Sequence, residues 1–173
     1  MYGLLYNREV PAHGIMVGLG TYFTSSFYLR LLELDFSQVE MKDSKDKRIE
    51  RIRENYKARS EIILRNLEER WERQTLVKTR LIEREAEIKG LIADRRMFLE
   101  KTLDFLSEVG ILEREDLKAL DDSWIEKALK NSFEIRGRYT ISTLLHQLGY
   151  LDKWSDETLA ELKQRLWAKE PSS

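Results

Sequence analysis

His13 and His146 are the only imidazoles in a chain of 173 residues, and the chain has no cysteine. Thiol catalysis, disulfides, zinc fingers and iron–sulfur clusters are thereby excluded. No G-x-G-x-x-G, phosphate loop, H-E-x-x-H or nucleophile elbow occurs along the sequence. Carboxylates are the remaining chemical resource, and many stand four residues from a base. Glu61–Arg65, Glu69–Arg73 and Glu85–Lys89 have the i, i+4 spacing that stabilises a helix surface. Asp121-Asp122 reads as a turn and cap, and Asp94-Arg95-Arg96 as a surface cluster. His146 has no acidic or nucleophilic partner nearby in sequence and reads as core or surface. The expectation is a non-enzyme with no catalytic residue, no metal ligand, no cofactor and no small-molecule substrate.

The second group of residues with meaningful spacing is uncharged. No Asp, Glu, Lys or Arg occurs from Val10 to Leu29 in a chain that is 35% charged. Gly14, Gly18, Thr21 and Ser25 follow i, i+4, i+7, i+11 spacing and share one helix face. Gly14 and Gly18 form a GxxxG pair, which in lipid lets two helices approach closely while hydroxyls bond across the contact. Twenty helical residues match a bilayer core of about 30 Å, and aromatic residues lie toward both ends, at Tyr2 and Tyr6 and at Tyr22, Phe23, Phe27 and Tyr28. The expectation is a single transmembrane-type helix at about 10–30, packed inside an assembly because its small polar residues suit protein better than lipid. The alternative is a buried helix at the start of a soluble domain. A cleaved signal peptide fits poorly, since a net-basic front end and an A-x-A site are missing. His13 sits at the edge of this run. At membrane depth a histidine can bind haem or a quinone, or relay a proton; an interfacial position is the plainer reading.

Charge divides the rest. Residues 1–37 carry a net −1, residues 38–101 a net +4 and residues 102–173 a net −4, which sum to the overall −1. Such a balance gives no general attraction to nucleic acid. In the middle block, Ser37 and Glu40 read as a capping box and Phe36 and Met41 as a hydrophobic staple. Gly90 is the main helix-weakening residue from there to Glu108, and no proline lies between Pro11 and Pro171. Ile49, Ile52, Tyr56, Ile63, Leu67, Trp71, Leu81, Ile88, Ile92, Leu99, Leu103 and Leu106 fall within an arc of about 100° at helical pitch. Gln74, Lys78, Glu85 and Arg96 interrupt this stripe. The pattern predicts one very long amphipathic helix over 37–109. Its stripe would face a partner, because the tail alone is too small to cover it; self-association is one way to supply that partner. The basic run Lys45–Arg48 reads as solvated surface, with phospholipid contact as the alternative.

The last block, 110–173, predicts a small helical bundle. Gly110 ends the long helix. Short helices follow at Glu113–Leu120, from Ser123 to about Asn131, over Thr140–Leu148 closed by Gly149, and from Ser155 to Ala168. Trp124, Phe133, Tyr139, Tyr150, Trp154 and Trp167 supply its core. The stretches from Phe105 and from Leu144 share an order of helix, glycine, apolar pair, polar turn and helix, which suggests a duplication. Leu144–Leu162 resembles the linker between paired EF-hands, a Leu-Gly followed by an acidic helix start. Twelve-residue calcium loops are missing on both sides, and Glu134–Arg138 supplies no ligand series. The resemblance therefore implies a calcium-free helix–loop–helix pair and assigns no family.

These readings predict an all-α protein in three parts, 1–36, 37–109 and 110–173. The expected role is that of a non-catalytic accessory subunit, held in a membrane complex through helix packing and contact with other subunits. In general character the chain resembles small single-pass subunits of organellar or bacterial energy-converting complexes, such as a respiratory complex or ATP synthase. The mitochondrial inner membrane is then the expected location. The alternative is a soluble coiled-coil scaffold or adaptor without a membrane span.

Overall fold

The computed structural model describes residues 11–39, 44–75, 77–118, 120–134 and 139–164, and every regular element among them is helical. The first described element is α1, His13–Leu31, which is followed by a 3-10 turn at Phe36–Gln38. Next come α2 (Lys45–Tyr56), α3 (Ser60–Thr75), α4 (Val77–Glu83), α5 (Glu85–Ala93) and α6 (Arg96–Glu108). A 3-10 turn at Ile111–Glu113 leads into α7 (Glu115–Lys118), α8 (Asp122–Asn131), α9 (Ile141–Gln147) and α10 (Leu151–Leu162). All-α character is therefore shown, and the two longest expected elements are corrected.

The first correction concerns α1. Among the described residues no helix is long and apolar enough to cross a membrane. α1 is instead the centre of a core made by its own chain. It packs along α6 and also touches the Ile111–Glu113 turn, α5, α9 and α10. Phe23, Phe27 and Leu31 are almost completely buried, and each side chain so placed contributes about 1.5–3 kcal/mol. The small residues on the expected packing face part company. Gly18 and Ser25 are buried, Thr21 is half-buried and Gly14 is exposed. A Cβ at Gly18 would lie 2.9 Å from Cδ1 of Ile111, whereas nothing comes within 4 Å at Gly14. Gly18 thus serves close approach of the Ile111–Glu113 turn. Arg30, which ends the charge-free run, bonds Glu157 at 2.6 Å and Glu161 at 2.5 Å and so ties α1 to α10.

The second correction concerns the shaft. Residues 37–109 do not form one helix. Lys57 adopts φ 44°, ψ −117° and breaks the chain between α2 and α3. The two helices pack on each other as a hairpin. Ile49, Ile52 and Tyr56 then meet Ile63, Leu64, Leu67 and Trp71 in a small separate core. Milder breaks at Arg84 and at Asp94–Arg95 separate α4, α5 and α6, of which α5 and α6 pack on α1 and α4 meets the turn at Phe36–Gln38. Leu81, Ile88, Ile92, Leu99, Leu103 and Leu106 thereby join the main core. The stripe residues are buried or half-buried, but residues of the same chain cover them. Folding back also unites the three expected parts, since the main core draws on Ile15–Phe36, Leu81–Leu106 and Leu112–Leu162.

Several polar expectations find local answers. Glu85, a gap in the stripe, accepts the Phe36 N–H at 3.2 Å and pairs with Lys89 at 2.7 Å. Arg96 pairs with Glu100 at 2.8 Å. The side chain that caps the turn at Phe36–Gln38 is Asp35, which accepts the Ser37 N–H at 2.9 Å; Glu40 and Met41 lie outside the described residues. Gly110 and Gly149 end α6 and α9 with φ of 64° and 74°, the left-handed geometry that glycine tolerates best. At Gly149 the Tyr150 N–H bonds the Leu145 carbonyl and the Gly149 N–H the His146 carbonyl, a Schellman closure. Thr140 and Thr143 form a reciprocal capping box at α9. α10 starts at Leu151, a turn before the expected Ser155, and Ala168 and Trp167 lie outside the described residues. α8 and α10 run antiparallel, joined by Lys130–Asp156 at 2.6 Å and by Lys163–Asp122.

Two outcomes separate this fold from the straight shaft and the membrane dimer. Lys57→Gly should raise stability in urea by roughly 1 kcal/mol, because a positive φ costs a side-chain-bearing residue about 1–3 kcal/mol; in a continuous helix the same change would cost about 1 kcal/mol. Gly18→Leu should destabilise by about 1–3 kcal/mol through overpacking against Ile111. Gly14→Leu, in open space, should leave the melting temperature within error, whereas a GxxxG contact would make both changes harmful.

Candidate functional site

Two features of the folded chain collect unusual groups. The first joins the α2–α3 hairpin to the C-terminal helices. α2 is mostly charged, yet Arg48 on it is only 2% exposed. Its guanidinium carbon lies 5.7 Å from the Trp71 ring centre and 4.8 Å from that of Phe133. Phe133 in turn stacks on His146 with ring centres 4.3 Å apart. Trp71, Arg48, Phe133 and His146 thus form a continuous stack from α3 to α9. A guanidinium suits such a place, since it is weakly hydrated and attracted to ring faces.

Beside the stack, Arg51 reaches Glu134 with Nε at 3.0 Å and Nη2 at 2.8 Å from Oε1. Glu134 is 1% exposed. The Tyr56 hydroxyl donates to the Asn131 carbonyl at 3.2 Å, and Asn55 Nδ2 donates to Asn131 Oδ1 at 3.2 Å. Asn131 Nδ2 donates to the Lys127 carbonyl at 2.7 Å, which fixes the side chain at the end of α8. Burial pushes the Glu134 carboxyl above its ordinary value, against the pull of Arg51 and Arg48. The Tyr56 phenol is pushed up as well, by burial first and then by the negative charge of Glu134. A raised carboxyl beside a tyrosine is a pattern that active sites use. Here the groups are packed against one another, and each already bonds within the chain. The cluster acts as a clamp that fixes the angle of the hairpin.

Two open hollows among the described residues differ from it. One, of about 430 Å³, is lined by Arg30, Glu33, Leu34, Trp154 and Glu157. The other, of about 220 Å³, lies on the hairpin between Ile49 and Leu64 and is rimmed by Arg53, Glu61, Arg65 and Glu68. Neither contains a histidine or a hydroxyl nucleophile. Among the described residues no three His, Asp or Glu side chains converge to hold a metal ion. His13 is exposed at the start of α1, far in sequence from His146, which the stack occupies.

The second feature is the outer face of α6. Its inner face, Leu99, Leu103 and Leu106, lies in the core. Next to it Phe98 is 69% and Phe105 58% exposed, with Val109 and, on α5, Leu91 about half exposed. At 100° per residue, Phe98, Thr102, Phe105 and Val109 span about 60° of arc, which adjoins the buried arc with Thr102 at the border. Val17 on α1 is half exposed as well. Exposed aromatic residues in a row, outside a covered core, mark contact surfaces.

The stripe read from the sequence as partner-facing holds Leu99, Leu103 and Leu106, which pack in or against the chain's own core, and leaves out the exposed Phe98 and Phe105 beside them. The signal was present in the seven-residue spacing of Leu91, Phe98 and Phe105. The clamp had weaker signals. Lys45–Arg48 read as solvated surface, and Arg48 is corrected to buried. Nothing in the order of residues tells that Glu134 will meet Arg51 across 83 positions.

Because the folded chain binds the Glu134 proton more tightly than the unfolded chain, protonation favours folding. That contribution is complete below the unfolded value of about 4.5 and is lost as pH rises through the raised folded one. The stability of the native chain minus that of Glu134→Gln should therefore increase as pH falls from neutrality toward 4.5. Urea midpoints of the two proteins at matched pH measure it; a difference that shrinks on acidification contradicts the assignment. Compared with protein-family models, curated proteins and solved structures, the chain matches none.

Proposed function

We propose that this chain is a non-catalytic interaction module, an accessory or scaffold protein that works by presenting the outer face of α6 to another protein surface. The observation that carries the reading is the exposure of Phe98 and Phe105 on a helix whose other apolar face packs on the core. Large rings left in water at a regular spacing cost solubility, and a partner that covers them recovers that cost. The rest of the molecule supports the same role. The clamp, the Arg30 bridges and the α8–α10 ion pairs hold the body rigid, so the face is presented in a fixed shape. This is the accessory-subunit expectation without its anchor, since α1 is occupied inside the fold.

Replacing Phe98 or Phe105 with benzoylphenylalanine in the native source tests it. Irradiation should give a discrete protein adduct at either position, and none at the exposed Asp152 on α10. Absence of adducts at both phenylalanine positions overturns the reading.

A further inference from the structure

Resting on that reading, we propose that the partner covering α6 is a second copy of this chain, docked antiparallel across a two-fold axis between Leu103 and Asp104. On α6, Phe98 and Phe105 stand seven residues apart with Thr102 and Val109 at the alternate seam positions, and Leu91 keeps the same spacing on α5 across the break at Asp94–Arg95. That is a coiled-coil period on the open side of a helix whose closed side is already packed. In an antiparallel pair the two kinds of seam position face each other. About this axis Phe98 meets Val109 of the other copy and Thr102 meets its Phe105, each contact occurring twice by symmetry. Thr102 is no obstacle, because its hydroxyl already donates to the Phe98 carbonyl at 2.8 Å.

Charge selects this arrangement over its neighbours. Lys101 and Glu108 flank the seam on one side, seven residues apart. The stated axis sets Lys101 of each copy beside Glu108 of the other, giving two opposite-charge pairs. Slipping one copy by a heptad toward the start of α6 instead sets Lys101 against Lys101 and Asp94 against Glu108. Neither Lys101 nor Glu108 forms an ion pair within the described residues. The patch covers little more than three helical turns, at the small end of specific interfaces, so the dimer should be concentration-dependent in the micromolar range.

Sedimentation velocity over a dilution series tests this on the full chain. The native protein should pass from dimer to monomer on dilution, and Phe98→Glu with Phe105→Glu should stay monomeric with an unchanged melting curve, since both rings are exposed. Lys101→Glu alone and Glu108→Lys alone should each weaken dimerisation about tenfold, and the double swap should restore it. The restoration separates the antiparallel pair from other associations. A native protein that is monomeric throughout overturns the proposal, as does a dimer indifferent to Phe98 and Phe105 or a double swap weaker than either single. A monomer that still cross-links to a different protein from Phe98 overturns the second copy as occupant and leaves the interaction module standing; a monomer without adducts removes both.

Discussion

A nineteen-residue helix that carries no Asp, Glu, Lys or Arg before Arg30 in its last turn must be surrounded, and the means of surrounding α1 determines the rest of this molecule. Its Ile15, Leu19, Phe23, Phe27 and Leu31 are buried, so apolar cover is needed along its whole length. The bilayer is one source of such cover and folded protein is another. Gly and Ser within α1 favour protein, because their small size allows close approach, and Gly18 and Ser25 are both buried. α6 supplies much of the cover, with the turn at Ile111 seated on Gly18. To bring α6 there, the chain between must reverse direction, and the hairpin break at Lys57 supplies that reversal.

Burial was legible in the sequence and connectivity was not. Period 3.6 sets Ile52, Leu67, Leu81, Ile92 and Leu106 on one apolar stripe, which the residue pattern alone assigns to a partner and the folded chain buries by itself. Glycine at a helix end was equally legible, since Gly110 and Gly149 each take the left-handed geometry that few other residues accept. The hairpin break was hidden because it falls on Lys57, between Tyr56 and Ala58, with no glycine or proline to announce it. Tertiary contact outweighs local preference there. Tyr56 and Asn55 are bonded to Asn131, Arg51 to Glu134, and α2 lies on α3; together they hold a backbone angle that lysine alone would avoid. The clamp was illegible for a related reason. Arg48 looks like its neighbours Lys45 and Lys47, and only the ring planes of Trp71 and Phe133, brought from distant positions, make it an interior residue.

A buried arginine–glutamate clamp is an odd choice if stability were its purpose. Removing two charges from water costs several kcal/mol per ion, and apolar residues of equal volume often serve as well. What such groups add is directionality. The small core of the hairpin, Ile52, Tyr56, Ile63, Leu64 and Leu67, is separate from the main one and its greasy contacts could slide. Bonds from Arg51 to Glu134 and from Tyr56 to Asn131 have fixed lengths and angles and admit one docking pose. The raised proton affinity of Glu134 is the cost of placing that directionality in a dry site.

α6 carries two apolar arcs side by side, and they differ in how they are bounded. The inner arc, Leu99, Leu103 and Leu106, is aliphatic and closed by α1. The outer arc is aromatic and bordered by Lys101 and Glu108. Aliphatic side chains interlock well with the neighbouring aliphatic and aromatic groups of a permanent core. Exposed rings stay in few rotamers, so covering them costs little conformational entropy, and they are the residues that reversible interfaces favour. A single helix therefore joins the permanent part of the structure to the part that is left open. Shifting α6 by one residue about its axis would bury Phe98 and expose Leu99, and α1 fixes it against that rotation. The core does not merely tolerate the open face; the same packing that buries Leu99 is what holds Phe98 and Phe105 in water.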